Sequence, residues 1–145
     1  MTTGLAVFDS SVQDTNLWLK QIEETLAPCR RHDAYAALRA TLHALRDALP
    51  AQVAVNFAAQ LPMVLRGLYY EGWTLPERPA RIKEFADFEA LVDRILAPGY
   101  PFETRAAIGA AFAAIATFIS AGEVDKLLTQ VPPPVREVWP ALAET

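Results

Sequence analysis

The chain has 145 residues, 52% of them hydrophobic and 21% charged, which excludes a disordered polypeptide and fits one domain with a true core. Its 13 Lys and Arg are dispersed and outnumbered by 17 Asp and Glu, for a net charge of -4, so the clustered cations of a nucleic-acid-binding surface are missing. One cysteine, Cys29, rules out an internal disulfide; the MTTGLAVFDSS start lacks a signal-peptide pattern and no apolar run approaches the ~20 residues of a membrane span, so a cytoplasmic location is expected.

Frequent Ala, Leu, Arg, Glu and Gln, few Gly, and no alternating Val/Ile/Thr runs favour helix over sheet. A first helix is expected from Ser10, with Ser10 and Gln13 as a capping box; Val12, Leu19, Ile22 and Leu26 share one face, and Pro28 ends it. Asp33 is the expected N-cap of a second helix, whose core stripe is Leu38, Leu42, Leu45 and Leu49. A third runs from Ala51 to Gln60. A fourth starts at Pro62, whose missing N–H would have no intrahelical partner anyway, and stops at Gly72. The TLPERPA segment reads as a loop. Four shorter helices follow, ending near Leu142. Ser120 and Glu123 read as a capping box, and Pro132, Pro133 and Pro134 force a break.

The second set echoes the first at an ungapped offset of seventy residues. Gln60, Pro62 and Arg66 fall on Gln130, Pro132 and Arg136, and Tyr69 falls on Trp139. The stripe Leu38, Leu42, Leu45 and Leu49 falls on Ile108, Phe112, Ile115 and Ile119, and Trp18 falls on Phe88. The expectation is a single all-α domain over residues 1–145, about eight helices in two tandem pseudo-symmetric four-helix repeats. The repeats span about 10–73 and 82–143, with the linker at about 74–81.

The segments DTNLWLKQIEE, AYAALRATLHALRDALP, AAQLPMVLRGLYYEGW and ISAGEVDKLLTQVPPPVREVW resemble, in order and over nearly the whole chain, a prokaryotic family known as domain of unknown function 2267. The resemblance implies a small bacterial helical protein and carries no activity and no site residues. The triple proline departs from the single proline of that pattern.

Arg66, Tyr70, Glu71 and Trp73 are the first candidate ligand site, with Arg66 as an anion anchor among aromatic rings. The structural alternative is an arginine that bonds carbonyls at a helix joint beside packed rings, and its recurrence as Arg136 favours that reading. His43 is the second candidate: Arg39, His43 and Arg46 share one flank of the second helix, with His32 and Tyr35 one turn earlier. This flank reads either as a cationic groove with a titratable histidine or as a solvated face. Its counterparts at positions 109, 113 and 116 are Gly, Ala and Ala, so Ala106, Gly109, Ala110 and Ala113 form a smooth face suited to close packing, within the chain or across a homodimer.

No metal is expected, because Cys29 and His32 supply only two ligands; no cofactor is expected either, since His43 alone is too little for a haem site. No Gly-rich phosphate loop, nucleophile elbow or HExxH motif occurs, and Glu23 and Glu24 read as a solvated pair. The reading leans away from an enzyme and towards a helical interaction or scaffolding module, with a protein partner or a second copy. The alternative is a small-molecule binder with its pocket between the repeats, near Arg66, Tyr70 and Trp73.

Overall fold

The computed structural model describes residues 2–144, and all regular structure among them is helical. The elements are α1 (Ala6–Thr25), α2 (Arg31–Ala48), α3 (Ala51–Ala58), α4 (Met63–Tyr70), α5 (Phe85–Ile95), α6 (Thr104–Phe118), α7 (Ala121–Gln130) and α8 (Pro133–Ala143).

Helices α2 and α6 form the centre. Each is buried on most of its circumference, and α6 packs chiefly on α8, α2 and α1. A helix enclosed on nearly all sides needs small residues where neighbouring backbones come close. Ala34, Ala37, Ala40 and Ala44 on α2, and Ala107, Ala110, Ala111 and Ala114 on α6, are fully buried. Leu42 and Phe112 are completely buried at the middle of these helices, and Phe112 stacks on Trp139 of α8 with 3.8 Å between ring centroids. Gly109, Ala110 and Ala113 are all buried, so the smooth face of α6 is covered within the chain; of the four residues assigned to it only Ala106 is exposed.

The helix ends depart from expectation at three places. α1 begins at Ala6 behind Leu5, so Ser10 and Gln13 lie inside the helix rather than capping it. The helical apolar spacing of Val7 and Phe8 continues upstream of Ser10, and Asp9 accepts from the Thr3 N–H at 2.6 Å. α2 begins at Arg31, which moves Asp33 from the N-cap into the first turn, where a carboxylate faces the positive helix end and meets Arg30 Nε at 3.2 Å. Pro62 is the N-cap of α4 and not its first residue; its ψ of 151° keeps it outside the helix. Gly72 follows the last residues of α4 with φ +72°, the left-handed conformation that glycine adopts without steric cost. Ser120 Oγ accepts from Glu123 N at the start of α7.

The three prolines do separate α7 from α8. Pro133 and Pro134 then occupy the first turn of α8, where N–H groups have no intrahelical acceptor and proline removes nothing. The segment between α4 and α5 is irregular, as expected of a linker, and is tied to α2 by an Ala80 N–H to Asp47 carbonyl bond of 2.6 Å.

Candidate functional site

The C-terminus of α4 is where most of the candidate side chains meet. An α-helix leaves its last carbonyls unpaired, and here α2 supplies the donors. His43 Nε2 lies 2.7 Å from the Leu68 carbonyl, and Arg46 Nη1 donates to the carbonyls of Tyr69 and Glu71, both at 2.9 Å. Arg46 Nε also donates to Asp47 Oδ1 at 2.9 Å, and Arg39 Nε stands 3.5 Å from Glu71 Oε1.

His43 and Arg46 are buried, so this part of the flank of α2 is neither a cationic groove nor a solvated face, whereas His32 and Tyr35 one turn earlier are exposed. Spacing along α2 put these side chains beside the leucine stripe; it could not reveal acceptors that lie 23–25 positions further along the chain. Because a carbonyl only accepts, the proton of neutral His43 sits on Nε2. Burial lowers the His43 pKa below the ordinary histidine value; the bond to Leu68 opposes this, and the nearby Arg46 and Arg39 charges add to the lowering. The neutral ring is therefore the form that the site holds.

Arg66 points elsewhere. Its Nε donates to the Ala58 carbonyl and its Nη2 to the Leu61 carbonyl, each at 3.1 Å, which clasps the end of α3 to the start of α4. Arg136 does the same between α7 and α8, donating from Nε to Leu128 at 2.6 Å and from Nη2 to Val131 at 3.1 Å and Thr129 at 3.2 Å. Ala58 and Leu61 are seventy positions before Leu128 and Val131, so the two arginines use equivalent acceptors.

The aromatic rings form a chain. Tyr69 is fully buried, donates from its hydroxyl to the Ala54 carbonyl at 2.9 Å, and is held protonated by burial. Tyr70 stands 5.5 Å from Tyr69 and 5.7 Å from Trp73, centroid to centroid. Trp73 Nε1 is buried without a protein acceptor, beside a cavity of about 140 Å³ that Arg46, Pro50, Pro76 and Glu77 help to line. The structure thus gathers His43, Tyr70, Glu71 and Trp73 at one helix end and leaves Arg66 at another joint.

A further cleft lies between α3 and α7, away from the residues singled out in the sequence as candidate sites. It measures about 550 Å³ and is lined by Val53, Asn56, Phe57, Ala59 and Gln60 on one side. Glu123, Lys126, Leu127, Thr129 and Gln130 line the other. Every residue of the first set is paired with one of the second at the seventy-residue offset. That numerical relation was the available signal: equivalent elements that meet would line a common space. A second cleft of about 370 Å³ opens where Leu17, Trp18, Pro62 and Phe118 come together.

Among the described residues no three His, Cys, Asp or Glu side chains are grouped closely enough to hold a metal ion, and no helix is long and apolar enough to cross a membrane. The pattern of the uncharacterized conserved family DUF2267 matches residues 15–138. The chain belongs to this family. No curated protein matches it. The part matched to DUF2267 takes in both arginine joints and the α3–α7 cleft, while the first two turns of α1 precede it.

Proposed function

We propose that the protein is a non-enzymatic helical interaction module that docks a protein partner on an apolar face built from α1 and the start of α4. The observation that carries this reading is the placement of exposed apolar side chains. Phe8 and Val12 on α1, and Met63 and Val64 on α4, are all at least 40% exposed. They flank the point where Ser11 Oγ accepts from the Val64 N–H at 2.9 Å. Leu17 and Phe118, also exposed, extend the face across the neighbouring cleft beside Pro62. Grouped apolar side chains of this kind mark interaction surfaces, whereas scattered ones do not. The polar groups that first suggested chemistry, His43, Arg46 and Arg66, are meanwhile engaged with helix-end carbonyls.

A second copy of the chain is the simplest partner, because a two-fold axis lets one patch cover itself. Light scattering across a concentration series tests this. A dimer that Phe8→Asp converts to a monomer, with helicity intact, is the expected result. A wild-type monomer at every concentration would remove the homodimer and leave a different protein as the occupant.

The halves α1–α4 and α5–α8 are, in this reading, tandem copies of one four-helix unit. Support comes from α3 and α7 starting at Ala51 and Ala121, α4 and α8 starting at Met63 and Pro133, and the equivalent bonds of Arg66 and Arg136. An experimental structure in which the two chain paths fail to superpose would end this part of the reading. A cytoplasmic setting in a prokaryotic cell goes with it, supported by the motif resemblance and by the free thiol of Cys29, which suits a reducing compartment.

A further inference from the structure

We infer that the cleft between α3 and α7 binds peptide, holding backbone amides between Gln60 and Gln130 and one apolar side chain against Phe57 and Leu127. The site meets the α1–α4 face at Gln60, which also lines the cleft beside Pro62, but its base of Phe57 and Leu127 and its α7 wall lie outside that face.

Size is the first argument. About 550 Å³ lies within the roughly 300–1,000 Å³ of ordinary ligand sites. The composition fits as well. Phe57 and Leu127 are nearly buried yet reach the cleft, giving it an apolar base. Half of the remaining lining is amide or hydroxyl: Asn56, Gln60, Thr129 and Gln130.

Charge narrows the ligand class. Glu123 and Lys126 are the only ionised groups in the lining, and they pair with each other at 3.3 Å. The cleft therefore offers no net charge to a phosphate or nucleotide and suits a neutral ligand rich in donors and acceptors. A carboxamide presents one acceptor and two donors, which matches the N–H and C=O of a peptide residue. The amides are also available. Asn56 Oδ1 is taken by Gln52 at 3.1 Å, but Gln130 Nε2 has only a 3.5 Å contact to Thr129, and Gln60 has no side-chain bond to the protein among the described residues.

The placement of the two glutamines completes the argument. Each wall contributes one, at positions seventy apart. In an extended peptide, successive residues direct their N–H and C=O groups to opposite sides. Two carboxamides on opposite walls can thus engage neighbouring residues of one strand, while a side chain between them turns down onto Phe57 and Leu127.

The test is an NMR titration of the isotope-labelled full chain with a tripeptide carrying a central leucine and blocked termini. Saturable shifts centred on Phe57, Gln60, Leu127 and Gln130 are expected. An ester analogue that lacks the central N–H should bind about tenfold more weakly, the upper range for one lost hydrogen bond. Gln60→Met and Gln130→Met keep the side-chain length without the amide; each should weaken binding severalfold and leave the melting temperature unchanged, since both sites are exposed. Equal binding of blocked and unblocked peptide points to an internal protein segment as the source. Preference for free termini points to short free peptides, with Glu123 and Lys126 exchanging their weak pair for the terminal charges; either result keeps peptide chemistry. Absence of saturable shifts, shifts centred elsewhere, or an ester bound as tightly as the amide would overturn the proposal.

Discussion

Helices α4 and α8 occupy positions seventy residues apart, yet their ends are completed by different means. At the start of α4, the N–H of Val64 is accepted by Ser11, which reaches it from α1. At the matching place in α8 stands Pro134, which has no N–H to satisfy, and position 81, the counterpart of Ser11, lies in the irregular linker. At the other end, the carbonyls of Leu68, Tyr69 and Glu71 are bonded by His43 and Arg46 of α2. The counterparts of those side chains are Ala113 and Ala116, and α8 runs on to Ala143, three residues beyond the position that matches the end of α4. One helix is completed by side chains from elsewhere in the fold; the other opens on prolines that need no acceptor and runs further before it stops. The same backbone requirement has two solutions, and each leaves a distinct sequence trace.

The strongest way to break this comparison is Arg46→Ala. It strips two carbonyls at the end of α4 of a buried charged donor, and should cost about 2–3 kcal/mol in urea denaturation, the upper range for hydrogen bonds to a charged group. Ala116→Arg, at the matching exposed position, should change stability by less than about 0.5 kcal/mol. Equal effects at the two sites would show that α4 does not depend on α2 in the way its bonds indicate.

Arg66→Ala and Arg136→Ala probe what the two joints share. Each loses a charged donor to two or more carbonyls and should cost about 1–3 kcal/mol, with the two values close to each other. A large loss at one and none at the other would separate the joints energetically despite their common geometry.

Ser11→Ala should cost about 1 kcal/mol, as for the loss of a helix cap. Val64→Pro makes the start of α4 resemble that of α8 by removing the donor. In that background Ser11→Ala should cost almost nothing, and a double-mutant cycle measures the difference. An undiminished cost would mean that Ser11 acts through packing.

The smallest effect is the pH dependence carried by His43. Its pKa is lower in the folded chain than in the unfolded one, so the unfolded state takes up more protons as pH falls below the ordinary histidine value near 6.5. The His43 contribution is complete above that value and is lost progressively on acidification towards and through the folded pKa. Thermal melts from pH 7.5 to 5.5 should show a decline that His43→Gln reduces, because glutamine can donate to Leu68 without titrating. A variant with the wild-type slope would place the titration elsewhere.

Where a residue's role depends on its sequence neighbours, the chain was readable. Pro62 and Gly72 marked helix limits to within a residue or two, and the leucine stripe of α2 named the core, Leu42 included. Caps were less readable: Ser10 and Asp33 are good capping residues, but α1 and α2 begin upstream of both because adjacent residues already continue the helix. The tasks of His43, Arg46 and Ser11 were hidden for a different reason. Their acceptors and donors belong to a helix brought close only by the tertiary fold, and periodicity within one helix carries no information about them. The α3–α7 cleft lies between these cases, since its lining was encoded in the seventy-residue offset but the meeting of α3 with α7 was not.

The Ser11–Val64 bond also bears on the order in which the chain folds. α4 has eight residues, well short of the roughly 12–15 at which an isolated helix begins to hold in water. The first turn of α4 is completed by a side chain 53 positions upstream, so closing that turn requires α1 to have docked already. Protection of the Val64 amide in pulsed hydrogen exchange should therefore rise with the docking of α1, later than protection within α2. The first turn of α8 needs no such bond: Pro133 and Pro134 have no N–H to satisfy, so no distant side chain has to reach them.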